Sequence, residues 1–240
     1  SGKTTALMNA GLQFLLGDAG KSAVQGVGGT RNCDWWFTQD AVLIDTAGRY
    51  ATQESDREVD ASAWDNFLAL LKKTRPRQPL NGVLLTVNVQ DMLQQGATER
   101  QEHAAKLRAR LQELQTKLGV RAPVYVLVTK MDLVAGFNET FGDLPKDQRE
   151  QVWGFTLDHR EGEDPVAEAE FDQGFAGLEQ RLGEGLTERL QVERDSARRA
   201  AIFGFPQELA ALRRPLREFI GAVFSAGGAV QRVPPRSEER

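Results

Sequence analysis

Residues 41–50 read AVLIDTAGRY. An apolar run of strand character leads into Asp45, and Thr46-Ala47-Gly48 follow where such a strand ends. In an α/β fold, the carboxyl end of a strand is where ligands bind, so a carboxylate there is placed to hold Mg²⁺ through water. Gly48 lets a backbone amide approach a γ-phosphate with no Cβ in the way. The competing reading, a strand followed by an ordinary glycine turn, accounts for Gly48 and leaves Asp45 unexplained.

Upstream, residues 1–16 read SGKTTALMNAGLQFLL. Gly2-Lys3-Thr4 is the last part of the phosphate-loop pattern G-x-x-x-x-G-K-[ST], running into a helix over 3–16. Unpaired amides and the helix dipole attract phosphate at such a start. Ser1, Gly2, Lys3, Thr4 and Thr5 then form the nucleotide cradle, with Lys3 reaching the β- and γ-phosphates and the Thr4 hydroxyl on Mg²⁺. A capped helix with an incidental lysine is the plainer alternative. On the phosphate-loop reading the first strand of the core is missing, and the chain reads as a piece of a longer protein. After a glycine-rich loop over 20–29, Thr30 stands where a switch threonine contacts Mg²⁺, although a loop threonine is more often a turn residue. Strands are expected over 33–38 and 41–45, as a hairpin about Gln39-Asp40, with Trp35 and Trp36 on opposite faces. Arg49 occupies the position where Ras-like hydrolases carry the glutamine that orients water. Slow hydrolysis, or help from a partner, is the expectation.

Downstream, Trp64, Phe67, Leu68 and Leu71 define a helix face over 62–73 that Pro76 and Pro79 end. NGVLLTVNV (81–89) and APVYVLVTK (122–130) are continuous apolar runs, expected as strands buried on both faces. Between them Ala104, Leu107, Leu111, Leu114 and Leu118 stripe a helix. Strand, helix, strand at this cadence predicts a parallel sheet with a crossover helix. After the second run come Thr129, Lys130 and Asp132: the Asp can accept from the N1 and N2 groups of guanine, and the Lys stem can pack along the base.

GKT, DxxG and TKxD, in that order at successive sheet edges, predict an α/β fold. The expected fold is that of a P-loop NTPase, Ras-like, with a mainly parallel sheet flanked by helices and a helical insertion. The expected organisation is a core over 1–140, the insertion over 141–197, a last strand (AAIFGFP) and helix over 198–226, and a linker-like tail over 227–240. The expected cofactor is Mg²⁺ with GTP or ATP. Composition is that of a globular chain of 240 residues, 40% hydrophobic and 27% charged. A net charge of -4 with interleaved signs speaks against nucleic acid. Cys33 is the single cysteine and His103 and His159 are isolated, so neither a disulfide framework nor a transition-metal cluster is expected. No apolar run approaches the ~20 residues of a membrane-spanning helix.

GGTRNCDWWFTQDAVLIDTAGRY (28–50), with VTKMDLVAGF (128–137), QVWGFTL (151–157) and FGFPQEL (203–209), resembles the cytoplasmic domain of the IcmF/TssM family. That family is the large inner-membrane component of bacterial type VI secretion systems. The resemblance runs from Ser1 to about Phe224. It implies a parent anchored in the inner membrane by segments outside this chain, with this domain on the cytoplasmic face. It also implies a DotU-like inner-membrane partner, baseplate components and other copies of the parent as partners. Carried over, Gly2, Lys3 and Thr4 are the phosphate loop, Asp45 and Gly48 the Mg²⁺ and γ-phosphate segment, and Thr129, Lys130 and Asp132 the base-reading loop. Two alternatives stay open: a scaffold in which hydrolysis is dispensable, and a signal-recognition-particle-type GTPase. The latter shares DTAGR and TKxD but would need a helical insertion between the loop lysine and DTAGR.

Overall fold

The computed structural model describes residues 3–8, 12, 13, 15, 33–46, 57–149, 151–157 and 168–224. They fall into two units: Ser1–Asp91 with Ala109–Lys130, and Met92–Arg108 with Met131–Arg240.

In the first unit, α1 (Lys3–Met8) precedes an antiparallel hairpin of β1 (Cys33–Phe37) and β2 (Val42–Thr46). Thr38 closes its two-residue turn: its N–H donates to Ala41 O at 2.9 Å, and its hydroxyl accepts from Ala41 N–H at 3.0 Å. Trp36 and Asp45 face inward, whereas Trp35, Phe37 and Val42 lie exposed on the other face. The two tryptophans thus separate as the period of two requires.

Helix α2 (Arg57–Thr74) buries Trp64, Leu68 and Leu71 around Leu118, with Ile44 of β2, Leu80, Leu114 and Val120 packed against them. Its last backbone bond is Arg75 N–H to Leu71 O, at 2.9 Å. Pro76 then disfavours helical geometry at Arg75 and ends the helix. Strands β3 (Val83–Asn88) and β4 (Val124–Thr129) pair in parallel, Val83 opposite Val124 through Asn88 opposite Thr129. One face of the pair buries Leu85 and Val87; Leu84, Tyr125 and Leu127 on the other face are exposed. Burial on both faces, expected from the apolar runs, is therefore met on one face among the described residues. Between the strands run α3 (Val89–Gln94) and α4 (Ala97–Leu118), the later turns of α4 closing the first unit. Trp64 Nε1 donates to Glu113 of α4 at 3.1 Å.

The second unit is helical. A 3₁₀ turn (Met131–Leu133) leads to α5 (Phe137–Phe141), α6 (Lys146–Arg149), α7 (Glu168–Val192) and α8 (Ser196–Phe224). Gly136 begins α5 with φ +82, and a Cβ there would stand 2.3 Å from Ala201 O, so glycine is required twice over. Phe171, Phe175, Leu178 and Leu182 of α7 are buried in this unit, and α7 packs along α8. Asp195 caps α8, its carboxylate accepting from Arg198 N–H at 2.8 Å.

The strand expected at AAIFGFP is absent: residues 200–206 lie inside α8. The run is too short for periodicity to separate strand from helix, and Gly204 and Pro206 read as breakers. Ile202, Phe205, Leu209, Leu212, Leu216, Phe219, Ile220 and Val223 form one buried stripe, continuing the helical period through both internal prolines, Pro206 and Pro215. Each internal proline costs about 3 kcal/mol, and each of the eight buried side chains contributes about 1.5–3 kcal/mol, so packing wins. The last helix also groups with α7 and α5 in the second unit, not with the strands.

Candidate functional site

Two regions carry the residues singled out from the sequence. The first lies at the carboxyl end of β2. Lys3 and Thr4, opening α1, meet Asp45 and Thr46, residues 41 to 43 positions away. The Thr4 hydroxyl donates to Asp45 Oδ2 at 2.6 Å. The Lys3 ammonium donates to Thr46 O at 2.6 Å and stands 3.9 Å from Asp45 Oδ1. The Asp45 side chain is 1% exposed and that of Lys3 22%. Burial lowers the Lys3 pKa from its usual 10.5, and the negative charge of Asp45 opposes the shift.

This corner gathers hydroxyl and carboxylate oxygens beside an ammonium. The oxygens suit a hard divalent cation such as Mg²⁺, and the ammonium suits a phosphate oxygen. The donor set fits the expected cofactor: Thr4 and Asp45 would hold the cation and Lys3 the phosphate. Thr5 is exposed on α1. Ser1, Gly2, Thr30, Gly48 and Arg49 lie outside the described residues.

The second region follows β4. Thr129 is buried and its hydroxyl donates to Val87 O across the parallel pair at 3.3 Å. Lys130 takes φ +61, the left-handed region, and among the described residues it is the one non-glycine to do so. Such a conformation costs of order 1 kcal/mol and recurs at ligand-binding turns. Asp132 lies in the 3₁₀ turn and is exposed; its backbone carbonyl accepts from Asn138 Nδ2 at 3.2 Å. Two features escaped the sequence reading. The Thr46 carbonyl, as a backbone group, carries no residue-type signal. The left-handed turn at Lys130 has none either, since neither glycine nor asparagine marks it.

The profile of the IcmF-related N-terminal domain matches residues 57–234. The chain belongs to that family. Type VI secretion system component TssM1 of Pseudomonas aeruginosa (strain PAO1) is 55% identical over 228 residues. The alignment covers 93% of this chain and 20% of that protein, so the chain spans about one fifth of its relative's length. No solved structure matches. Within the IcmF-related profile lie Thr129, Lys130 and Asp132; Lys3, Thr4 and Asp45 lie before its matched span.

Proposed function

We propose that this IcmF-related domain is the nucleotide-binding part of a type VI secretion membrane complex. It works at the cytoplasmic face of the bacterial inner membrane. There it binds Mg²⁺ with GTP or ATP and hydrolyses it slowly in support of assembly or secretion. The α/β core is read as a P-loop, Ras-like fold. The observation that carries the reading is the meeting of Lys3 and Thr4 with Asp45 and Thr46, which puts an ammonium and two kinds of hard oxygen donor at one strand end. The name of the 55% identical relative supports the secretion context. Slow hydrolysis follows from Arg49 standing where a water-orienting glutamine is usual. No helix among the described residues is long and apolar enough to cross a membrane, so anchoring falls to other segments of the parent. A DotU-like membrane protein, baseplate components and further copies of the parent are the proposed partners.

The test is titration of fluorescent GTP and ATP, with Mg²⁺, into the full-length protein and its Lys3→Ala variant. Binding in the parent that weakens at least about tenfold in the variant supports the reading, since a charged hydrogen bond contributes about 1.5–3 kcal/mol. Because the Lys3 pKa is lowered, its ammonium is lost earlier than an ordinary lysine's. Affinity should therefore fall as pH climbs through the lowered value, before 10.5 is reached. If neither nucleotide binds, the motifs are inherited architecture and the domain is a scaffold.

A further inference from the structure

The connection from α2 into β3 reads RPRQPLNG (75–82) and ends in an asparagine followed by a glycine. Asn81 is exposed. It is fixed from both sides: Leu80 before it packs on the Trp64 cluster, and Val83 beyond it donates its N–H to Pro123 O at 2.9 Å. The Arg75 guanidinium reaches across the connection, and its Nη2 donates to Asn81 Oδ1 at 3.3 Å. Among the described residues no group accepts the Gly82 N–H. The surroundings also keep position 82 a glycine, since a Cβ there would stand 3.2 Å from Tyr125 Cε2, tighter than an ordinary contact.

These features converge on one reaction. The main-chain nitrogen that follows an asparagine can attack its side-chain amide, provided that nitrogen is neither hydrogen-bonded nor crowded by a side chain. Asn66, Asn88 and Asn138 are followed by Phe67, Val89 and Glu139, each of which crowds the attacking nitrogen. Asn88 is further tied down, its Nδ2 donating to Asp91 at 2.9 Å and its Oδ1 accepting from Gln90 N–H at 3.2 Å. Among the described asparagines, Asn81 is the one followed by a residue without a side chain.

We propose that Asn81 is a self-modifying site, at which the Gly82 nitrogen displaces the side-chain amide with Arg75 assisting. The Gly82 nitrogen gives up its proton and bonds to Asn81 Cγ. Negative charge collects on Oδ1, where the Arg75 guanidinium already donates. The bond from Cγ to Nδ2 then breaks, and ammonia leaves with a proton equivalent to the one given up. Water opens the resulting succinimide ring at either carbonyl, leaving aspartate or isoaspartate. Amide and water are consumed, acid and ammonia are formed, and nothing is oxidised or reduced. Aspartate leaves the main chain as it was. Isoaspartate routes it through Cβ, which adds an atom just ahead of the Val83 bond to Pro123 that starts the β3–β4 register. The site is at the amino end of β3, so the inference does not rest on nucleotide binding at carboxyl strand ends.

Peptide mapping by mass spectrometry tests it, on the full-length protein held in mildly alkaline buffer, with chromatography separating aspartate from isoaspartate. Asn81 should lose its amide at least about tenfold faster than Asn66, Asn88 or Asn138, a difference of roughly 1.4 kcal/mol in barrier. Arg75→Gln, which removes the charge, should slow the loss at Asn81 about threefold, the size expected of an exposed hydrogen bond. Aged protein should melt below fresh protein, while Asn81→Asp melts with the parent, because only isoaspartate lengthens the main chain. Loss at Asn81 no faster than at the other three asparagines overturns the proposal. So does loss that is unchanged or faster in Arg75→Gln. Aspartate formed without isoaspartate overturns it too, since water would then have cleaved the side-chain amide directly and no ring would have formed.

Discussion

Asp45 and Asp172 each sit among cations, and the better-looking pair is the less valuable one. Asp172 on α7 accepts from Arg213 Nε at 3.0 Å and Arg217 Nη1 at 2.9 Å, both on α8. Asp45 accepts a hydroxyl at 2.6 Å, with the Lys3 ammonium at 3.9 Å. The Asp172 side chain is 29% exposed, however, and that of Asp45 is 1% exposed. Water and salt screen the first network, so its geometry converts into little stability. At the β2 corner the carboxylate has almost no water to turn to, and the ammonium little. Burial, more than distance, ranks the two sites. It also suits the corner to a ligand, since an electrostatic contact there is weakened least by solvent.

The comparison is sharpest at its buried end. Asp45→Ala removes the acceptor of Thr4 and the counter-charge of the largely buried Lys3. A loss of about 3 kcal/mol is expected, seen as a melting temperature lower by roughly 6–12 °C; on the proposed nucleotide reading, binding is lost as well. A loss under about 1 kcal/mol would show that the corner relaxes into water and that burial is a poor guide. Thr4→Val comes next. It keeps the shape and deletes one charge-assisted hydrogen bond, for about 1–2 kcal/mol by chemical denaturation, and Thr4→Ser should restore most of it. A loss in the serine variant with none in the valine variant would mean that the methyl group, and not the hydroxyl, is what the corner needs.

The corner was legible in the sequence because its parts are residue types with one common use at strand and helix ends. Asp45, Lys3 and Thr4 each carry a side-chain signal, and the apolar run that ends at Asp45 put that carboxylate at the end of the strand. The hairpin was equally legible, since Gln39-Asp40 separates two short runs of strand character and parity alone divides Trp35 from Trp36. The last helix was not. Residues 200–206 look like a strand by themselves; only the contacts of Phe205 and Leu209 within the second unit reveal the stripe they belong to. Nor could the apolar run 83–88 disclose that Leu84 lies exposed, because a sheet's neighbours decide which face is covered, and they are non-local.

The smallest effect belongs to Asp172→Asn, and its pH dependence separates it from the corner. Hydrogen bonds from Arg217, then Arg213, hold the Asp172 carboxyl below its ordinary 3.8, with the charges of both guanidiniums adding to the shift. A carboxyl depressed in the folded state contributes stability that is fully present above the unfolded value. That contribution disappears as pH falls through the lower folded one. Parent and variant should thus differ slightly at neutral pH, by less than Thr4→Val costs. They should converge on acidification below 3.8, and also in high salt at neutral pH, where the exposed pairs are screened. Melting curves across that range measure it. A neutral-pH loss as large as that of Asp45→Ala, persisting in salt, would place Asp172 in an environment as dry as the β2 corner and remove burial as the property that distinguishes the two carboxylates.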